Sequence, residues 1–288
     1  MDNGSGDLRA FVIGTGVMGK GIVQVLAESE QVSSVAWKDI SLDYVERAFS
    51  ELSAKWGRMV EKKRLSAEDA VRFSQKIVCT DSYAALVDTQ LVIEAVSEDL
   101  DAKRALFAQL SGLVSRSTII ASNTSSLSIT ELASLMQYPD NVIGLHFFNP
   151  AHVMKLTEVT VGLTTSQETC DRTLDIARRI GKTPILVKET PGFIVNRMLI
   201  PMINEAVGIL AEGVASAKDI DRAMCLGANH PIGPLALADL IGNDVNLSIM
   251  ETLQRETGDQ KYRPHPLLRQ MVRANRLGRK TGHGFFEY

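Results

Sequence analysis

The sequence contains few cysteines, no long apolar run and no excess of basic residues. Its three cysteines, Cys79, Cys170 and Cys225, are odd in number and widely separated, which argues against both a disulfide framework and a metal site. No apolar stretch approaches the roughly 20 residues that a membrane-spanning helix needs. A formal net charge of −3 also lacks the basic excess that is typical of nucleic-acid binding. We therefore expect reduced thiols, no bound metal, no membrane span and no nucleic-acid partner.

The first residues do not have the pattern of a secretory signal peptide. Residues 1–8 are polar and acidic rather than basic, and the apolar stretch from Ala10 to Ile13 is too short for the core of such a peptide. The sequence therefore predicts a cytoplasmic protein. A chain of 288 residues is expected to form two domains of unequal size.

Short apolar runs alternate with helical patterns over the first two thirds of the sequence. A long charged helix is predicted from about Leu42 to Lys63, and another from about Ser166 to Gly181. Strands that alternate with helices indicate an α/β fold of the Rossmann type, with a doubly wound and mostly parallel sheet. The predicted strands are AFVIG, VSSVAWKD, KIVCT, LVIEAV, STIIAS, NVIGLHFF, KLTEVTVG and TPILVKE.

The pattern changes after Glu189. The dipeptide Pro191-Gly192 marks a break, and beyond it the apolar spacing is helical, with little strand signal. We predict an α/β domain over residues 1–190 and a smaller, all-α domain over residues 191–288. The predicted helices of the second domain are PMINEAVGILAEGV, AKDIDRAMCLG and PLLRQMVRANRLG.

Gly14, Gly16 and Gly19 form a G-x-G-x-x-G pattern between the first predicted strand and the first predicted helix. That context is the one in which this pattern binds a dinucleotide, although three glycines at this spacing also occur in ordinary turns. The first glycine permits a tight turn, the second lets a pyrophosphate approach, and the third allows helix and strand to pack closely. The N–H groups at the helix start, around Val17 and Met18, are then expected to face the phosphates.

Asp39 strengthens the interpretation as a nucleotide site. It ends the second predicted strand, 20 residues after Gly19. A carboxylate there accepts hydrogen bonds from ribose hydroxyls and repels a 2′-phosphate. NAD is therefore the expected cofactor. NADP is less favoured, although the neighbouring Lys38 leaves it open, and a solvated strand end is the structural alternative for Asp39.

His146 and Glu158 are the candidates for acid–base chemistry. His146 lies at the carboxyl end of the apolar run NVIGLHFF, and ligands of open parallel sheets bind beyond the carboxyl ends of the strands. A neutral imidazole can take and return a proton, and a buried glutamate beside it would fix the tautomer of the ring. Taken alone, His146 could equally be a hydrogen-bonded histidine of the core.

Several segments resemble the signatures of the L-3-hydroxyacyl-CoA dehydrogenase family, in the same order and at similar separations. The resemblance extends from about Leu8 to Tyr288, and IPMINEAVGILAEG and GANHPIGPLALAD are similar especially to the bacterial short-chain members. The matching segments are IGTGVMGKGI, VIEAV, ASNTSSLSIT, GLHFFNP, MKLTEV, ETPGFIVNR and LGRKTGHGFFEY.

The resemblance implies an oxidoreductase that interconverts a 3-hydroxyacyl-CoA and a 3-oxoacyl-CoA, with 3-hydroxybutyryl-CoA and acetoacetyl-CoA as the expected pair. In this family His146 would be the general acid/base and Glu158 its partner. Ser125 and Asn196 would hold the C3 oxygen and the thioester region of the substrate. Without the resemblance, Ser125 is one of several hydroxyl residues in a polar turn and Asn196 a possible helix cap.

The resemblance also implies further contacts with both ligands. Asn123, Glu98 and Lys103 would bind the cofactor, with Glu98 and Lys103 on the nicotinamide side. A basic cluster, in which we expect Arg58 and Lys62 to bind the substrate, would hold the CoA phosphates. A solvated helix surface is the alternative interpretation of this cluster. Its members are Lys55, Arg58, Lys62, Lys63 and Arg64.

The sequence departs from the family pattern at His152, where proline is usual, and this places the substrate range in doubt. The helices after Pro191 are expected to close over the acyl chain and to form a homodimer, as the resemblance implies. Two other functions remain open. One is an NAD-dependent dehydrogenase of a hydroxy acid or sugar acid without CoA, and the other is a non-catalytic, crystallin-like relative.

Overall fold

The computed structural model describes residues 8–288. The first residues, in which no signal peptide is expected, lie outside this part except for Leu8. The chain divides into two compact units between Glu189 and Thr190.

Within the described residues of the first unit, eight strands form one sheet in the order β3-β2-β1-β4-β5-β6-β7-β8. Neighbouring strands are parallel except β6 and β7, which are antiparallel. The predicted Rossmann-type, mostly parallel sheet is thus confirmed. The strands are β1 (Leu8–Ile13), β2 (Val32–Lys38), β3 (Ile77–Thr80), β4 (Leu91–Glu94), β5 (Ile119–Ser122), β6 (Val142–Phe147), β7 (Leu156–Val161) and β8 (Thr183–Lys188).

The sheet is apolar on both faces. Along β1, Ala10 and Val12 belong to one buried cluster, whereas Phe11 and Ile13 belong to another. Because successive side chains of a strand point to opposite faces, the two clusters are the two layers between the sheet and its helices. This arrangement explains why the central strands, such as β4, β5 and β6, are largely apolar instead of alternating with polar residues.

Six α-helices accompany the sheet in the described part of the first unit. Five of them start with a serine or aspartate whose side chain accepts a backbone N–H of the first turn. The sixth, α1, starts after Gly16, which has no side chain to offer. The helices are α1 (Val17–Glu28), α2 (Leu42–Glu61), α3 (Ala67–Gln75), α4 (Leu100–Leu110), α5 (Ile129–Ala133) and α6 (Gln167–Arg179).

The second unit is helical, as predicted. Two helix boundaries predicted for it were wrong. The helix predicted from Pro201 begins at Val195, so that this proline lies inside the helix rather than in its first turn. The last predicted helix ends at Arg273, because Asn275 adopts a left-handed φ of 56°. The helices are α7 (Val195–Ala211), α8 (Ala217–Gly227), α9 (Pro234–Ile241), α10 (Asn243–Thr257) and α11 (Pro266–Arg273).

Candidate active site

The loop between β1 and α1 carries the three glycines. Gly14 has a φ of +115°, and a Cβ on it would lie 2.3 Å from the carbonyl oxygen of Ala95. A Cβ on Gly19 would lie 2.1 Å from the carbonyl oxygen of Gly14. Neither position can therefore hold a side chain. At Gly16, by contrast, nothing lies within 4 Å of the corresponding point and the residue is exposed. The loop is therefore closely packed at Gly14 and Gly19 and open to solvent at Gly16.

The N-terminus of α1 is built to receive an anion. Its first-turn N–H groups have no side-chain cap, and Val17 at the helix start is 68% exposed. Met18 packs partly against the core, which fixes the helix in place. Uncapped N–H groups and the positive end of the helix dipole together favour a phosphate group. The residues of this loop therefore fit the pyrophosphate of a dinucleotide.

Asp39 lies directly after β2, beside the glycine loop. Its Oδ2 accepts hydrogen bonds from the backbone N and the Oγ1 of Thr15, both at 2.7 Å. The ammonium group of Lys38 is turned away from this carboxylate. It donates to the carbonyl oxygen of Asp39 at 2.8 Å and lies 4.6 Å from the ring centre of Tyr83. Because Lys38 is 8% exposed and committed to these contacts, it does not offer a site for a 2′-phosphate.

A buried ion pair lies beneath the ends of β4 and β5. Lys103 of α4 donates to Oε1 of Glu94 at 2.5 Å, and their side chains are 1% and 0% exposed. Ser122 donates to the other carboxylate oxygen of Glu94 at 2.6 Å. Lys103 is therefore buried in an ion pair with Glu94, and its expected contact with the cofactor stays a prediction. Sequence reasoning missed Glu94, although an acidic residue inside the apolar run LVIEAV was a signal for it.

Glu98 connects this buried pair to the polar turn after β5. Its Oε2 lies 3.4 Å from Nζ of Lys103, while Oε1 accepts from Thr124 Oγ1 at 2.6 Å and from the backbone N of Ser125 at 2.7 Å. Burial alone would raise the pKa of Glu98, but the Lys103 ammonium and these donors outweigh it and lower the pKa. Glu98 is thus an anion whose hydrogen bonds hold the loop that carries Ser125 in place.

The same turn is tied to the end of β6. The backbone N of Asn123 donates to the carbonyl oxygen of Glu94 at 2.8 Å, and its Oδ1 accepts from the backbone N of Phe147 at 2.9 Å. Asn123 therefore joins the carboxyl ends of three neighbouring strands. Ser125, which is half-buried two residues further on, is fixed relative to that edge of the sheet.

His146 and Glu158 form a buried pair across β6 and β7. The antiparallel register places these residues directly opposite each other, and Nδ1 of His146 lies 2.9 Å from Oε2 of Glu158. The histidine is 6% exposed and the glutamate 1%. The ring centroid of Phe148 lies 4.5 Å from that of His146. Because a carboxylate accepts hydrogen bonds, Nδ1 carries the proton and the lone pair of the neutral ring is on Nε2.

A groove of about 500 Å³ lies between α1, α2 and the loop after β6, and we call it the α1–α2 groove. Arg58 is exposed along it, and Lys20 is paired there with Glu51 at 2.5 Å. Lys62, which was predicted to act beside Arg58, lies one residue past α2 and is exposed. The residues that line the groove are Val17, Lys20, Gly21, Gln24, Glu51, Leu52, Ala54, Lys55, Arg58, Asn149, Pro150, Ala151 and His152.

Asn196 belongs to the second unit. It lies in the first turn of α7, where it is half-buried. The N-cap position of the helix is Ile194 and no side chain caps it, so the alternative role of Asn196 as a helix cap does not apply. The expected contact of Asn196 with the substrate stays a prediction.

Comparison with known proteins finds a family match for each of the two units. The model of the NAD-binding domain of 3-hydroxyacyl-CoA dehydrogenase matches residues 9–190, and that of the C-terminal domain of the same enzyme matches residues 192–288. The chain belongs to the 3-hydroxyacyl-CoA dehydrogenase family. It is therefore an NAD-dependent oxidoreductase, and the predicted cofactor and enzyme class are confirmed.

Individual relatives of this family are similar over almost their whole length. The chain is 49% identical to 3-hydroxybutyryl-CoA dehydrogenase of Clostridioides difficile, covering 98% of this chain and 99% of that protein. It is 39% identical to the mitochondrial hydroxyacyl-coenzyme A dehydrogenase of Homo sapiens, covering 96% and 90%. The crystal structure of (S)-3-hydroxybutyryl-CoA dehydrogenase from Ralstonia eutropha superposes with a TM-score of 0.93 at 46% identity, covering 97% and 98%.

No helix within residues 8–288 is both long enough and apolar enough to cross a bilayer.

Proposed function

We propose that this chain interconverts an (S)-3-hydroxyacyl-CoA and the corresponding 3-oxoacyl-CoA, with His146 as the general acid/base and Glu158 as its partner. The observation that carries the proposal is the buried Nδ1–Oε2 contact of 2.9 Å between the two side chains. It leaves Nε2 as the basic nitrogen of the ring, as oxidation of an alcohol requires.

The reaction needs a hydride acceptor and a proton acceptor on the same carbinol group. The glycine loop and Asp39 would hold NAD, which would supply the acceptor for the hydride that leaves C3. His146 takes the hydroxyl proton on Nε2 as the C3–O bond becomes a carbonyl. The Glu158 carboxylate then stabilises the imidazolium through Nδ1, and it keeps the ring in the correct tautomer throughout. In the reverse direction, the imidazolium returns the proton to the oxygen.

Ser125 and Asn196 are proposed to hold the substrate. Hydrogen-bond donors placed at the C3 oxygen stabilise the charge that develops on it during the reaction. Oγ of Ser125 donates to Oε1 of Glu98 at 3.1 Å. Binding therefore requires this hydroxyl to exchange Glu98 for the substrate, while the backbone N–H of Ser125 keeps the loop on Glu98.

Cations in the α1–α2 groove support a CoA ester as the substrate. A free hydroxy acid has no remote phosphates to bind. Arg58, Lys55 and Lys20 line the groove, and their positive charges suit the phosphate-bearing part of coenzyme A. Relatives from Clostridioides difficile and Ralstonia eutropha are named for 3-hydroxybutyryl-CoA, so we propose a four-carbon acyl group. Arg58 is the proposed phosphate contact on this surface, with Lys62 beyond the helix end.

A test of the proposal follows NADH absorbance with acetoacetyl-CoA, with free acetoacetate and NADPH in parallel. Rapid oxidation of NADH with the CoA ester alone is the expected result. Turnover of free acetoacetate would instead favour a dehydrogenase of non-CoA hydroxy acids. The variant His146→Gln should lose turnover while retaining NADH binding, and a comparable loss of NADH affinity would contradict the assigned role.

We also propose that two copies of the chain associate through the second unit. Several large apolar side chains of this unit are exposed, and burying them against a second copy would remove apolar surface from water. Size-exclusion chromatography with light scattering should give a mass near twice the 31.5 kDa of one chain. The exposed side chains include Met198 (72%), Leu226 (75%), Leu240 (51%) and Val245 (40%).

A further inference from the structure

Lys55 is held at the edge of the α1–α2 groove by two uncharged partners. Its ammonium group donates to Oε1 of Gln24 at 2.7 Å and lies 3.0 Å from Nε2 of His152. Gln24 is 3% exposed and is fixed in turn by a bond of 2.7 Å to Glu28. The position of Lys55 is therefore set by the surrounding structure and not by solvent.

The contact between Lys55 and His152 fixes the protonation state of the histidine. An ammonium group is a donor only, so Nε2 of His152 must accept, and the imidazole is neutral with its proton on Nδ1. A second proton would turn Nε2 into a donor and place two cationic N–H groups 3.0 Å apart. The contact would then break, and both cations would become available to a ligand in the groove.

The charges around His152 come from three parts of the first unit. Lys55 faces it from α2, Glu28 from α1, and Lys182 from the turn between α6 and β8. Arg179 of α6 and Glu30 line an adjoining depression together with Glu28, Lys182 and His152. Lys182 donates to the carbonyl oxygens of the His152 loop itself. Burial and the charge of Lys55 lower the pKa of His152, so the ring is neutral near pH 7 until an anion arrives.

We propose that His152 is a proton-linked specificity residue: an anionic group that enters the α1–α2 groove binds with uptake of a proton by His152. This inference rests on the proposed function, since the anionic group is the phosphate-bearing part of the acyl-CoA. An anion favours the imidazolium over the neutral ring. By linkage, the proton on His152 then favours the anion to the same extent.

Calorimetry with free coenzyme A tests the proton uptake directly. Binding is measured at pH 6.5 in two buffers of different ionisation enthalpy, with the wild type and with His152→Gln. The glutamine variant keeps an acceptor for Lys55 but cannot titrate, so it also accounts for protons exchanged by the phosphates of CoA. We expect the wild type to take up about 0.5 proton more per CoA than the variant. Equal uptake by the two proteins, or no CoA binding by either, would overturn the inference.

Kinetics with two thioesters separate this role from the proposed function. Acetoacetyl-CoA carries the phosphates, whereas the acetoacetyl thioester of N-acetylcysteamine does not. When the pH is lowered from 8 to 6, the ratio of the wild-type KM for the CoA ester to that for the truncated ester should fall about fivefold. This is the expected effect of one positive charge, added on His152, at roughly 10 Å from a phosphate. The ratio should not change in His152→Gln.

The permanently charged variant His152→Lys provides a matched control. At pH 8 it should show the low relative KM for the CoA ester that the wild type reaches at pH 6. The inference fails if the KM ratio of the wild type is independent of pH, or if His152→Gln shows the same change. Absence of turnover with either thioester would refute the proposed function instead, and the calorimetric comparison would still decide the role of His152.

Discussion

Nδ1 of His146 lies 2.9 Å from Oε2 of Glu158 because the two residues are register partners on neighbouring antiparallel strands. The contact therefore follows from backbone hydrogen bonding and not from a chance meeting of two flexible side chains. Since the pair is almost completely buried, the carboxylate acts on the imidazole in a medium that screens charge weakly.

Replacing Glu158 by glutamine removes that charge while preserving the shape of the side chain. We expect kcat to fall by about 10²-fold, within the range of a lost acid–base partner, and the Kd for NADH to stay unchanged. Stopped-flow absorbance and fluorescence titration measure the two quantities. Because the pair acts as one unit, adding His146→Gln to Glu158→Gln should slow the reaction little beyond His146→Gln alone. Additive losses would mean that the two residues act independently.

Replacing Asp39 by serine should relax the choice of cofactor. The carboxylate is the group expected to bind the ribose hydroxyls and to repel a 2′-phosphate, so its removal raises the KM for NADH and lowers that for NADPH. We expect the ratio of kcat/KM for NADPH over NADH to rise at least about tenfold. Thr15→Val is the matched control, because it removes a donor to Asp39 without changing the charge. A comparable rise of this ratio in Thr15→Val would show that the Asp39 carboxylate does not determine the choice of cofactor.

The buried pair of Glu94 and Lys103 should matter mainly for stability. Lys103→Met leaves the carboxylate of Glu94 buried without its cation, at a cost of about 3–5 kcal/mol in the free energy of unfolding. Thermal unfolding should show a lower Tm for this variant. In the double variant Glu94→Gln/Lys103→Met the fully buried carboxylate is removed as well, and only the partly exposed Glu98 is left without this cation, so part of the loss should be recovered. A double variant less stable than Lys103→Met would contradict this account.

Acid should weaken the first unit partly through Glu98. Its pKa in the folded protein is below the ordinary value of 4.5, so as the pH falls the unfolded chain takes up the proton first. The stabilisation from the Glu98 carboxylate is therefore complete above about pH 4.5 and is lost as the pH falls through the folded pKa. Urea unfolding between pH 7 and pH 3 should show a smaller acid loss for Glu98→Gln than for the wild type. Equal slopes would exclude Glu98 as a source.

The Rossmann fold and the nucleotide loop could be predicted because their signals are local. Gly14 has a φ of +115° that favours glycine, Gly19 has no room for a Cβ, and β1 is a largely apolar run that ends directly before Gly14. Helix boundaries near Pro201 and Asn275 could not be predicted. A proline inside a helix and a left-handed asparagine depend on contacts that the apolar spacing does not encode.

Within the site, the sequence indicated which residue types are needed but not which contacts they make. Lys103 was expected to line the cofactor site, which stays a prediction, and its ion pair with Glu94, nine positions earlier in the chain, was not foreseen. Arg58 and Lys62 were preferred over Lys55 by resemblance alone. It is the fold that brings Gln24 and His152 to Lys55, from positions 31 and 97 residues away in sequence.

The short separation between His146 and Glu158 also has a consequence for how the enzyme assembles. Their contact spans 12 positions, so it closes a small loop whose entropic cost is low. The contact between the imidazole and the carboxylate can therefore form in the same folding step in which β6 and β7 pair.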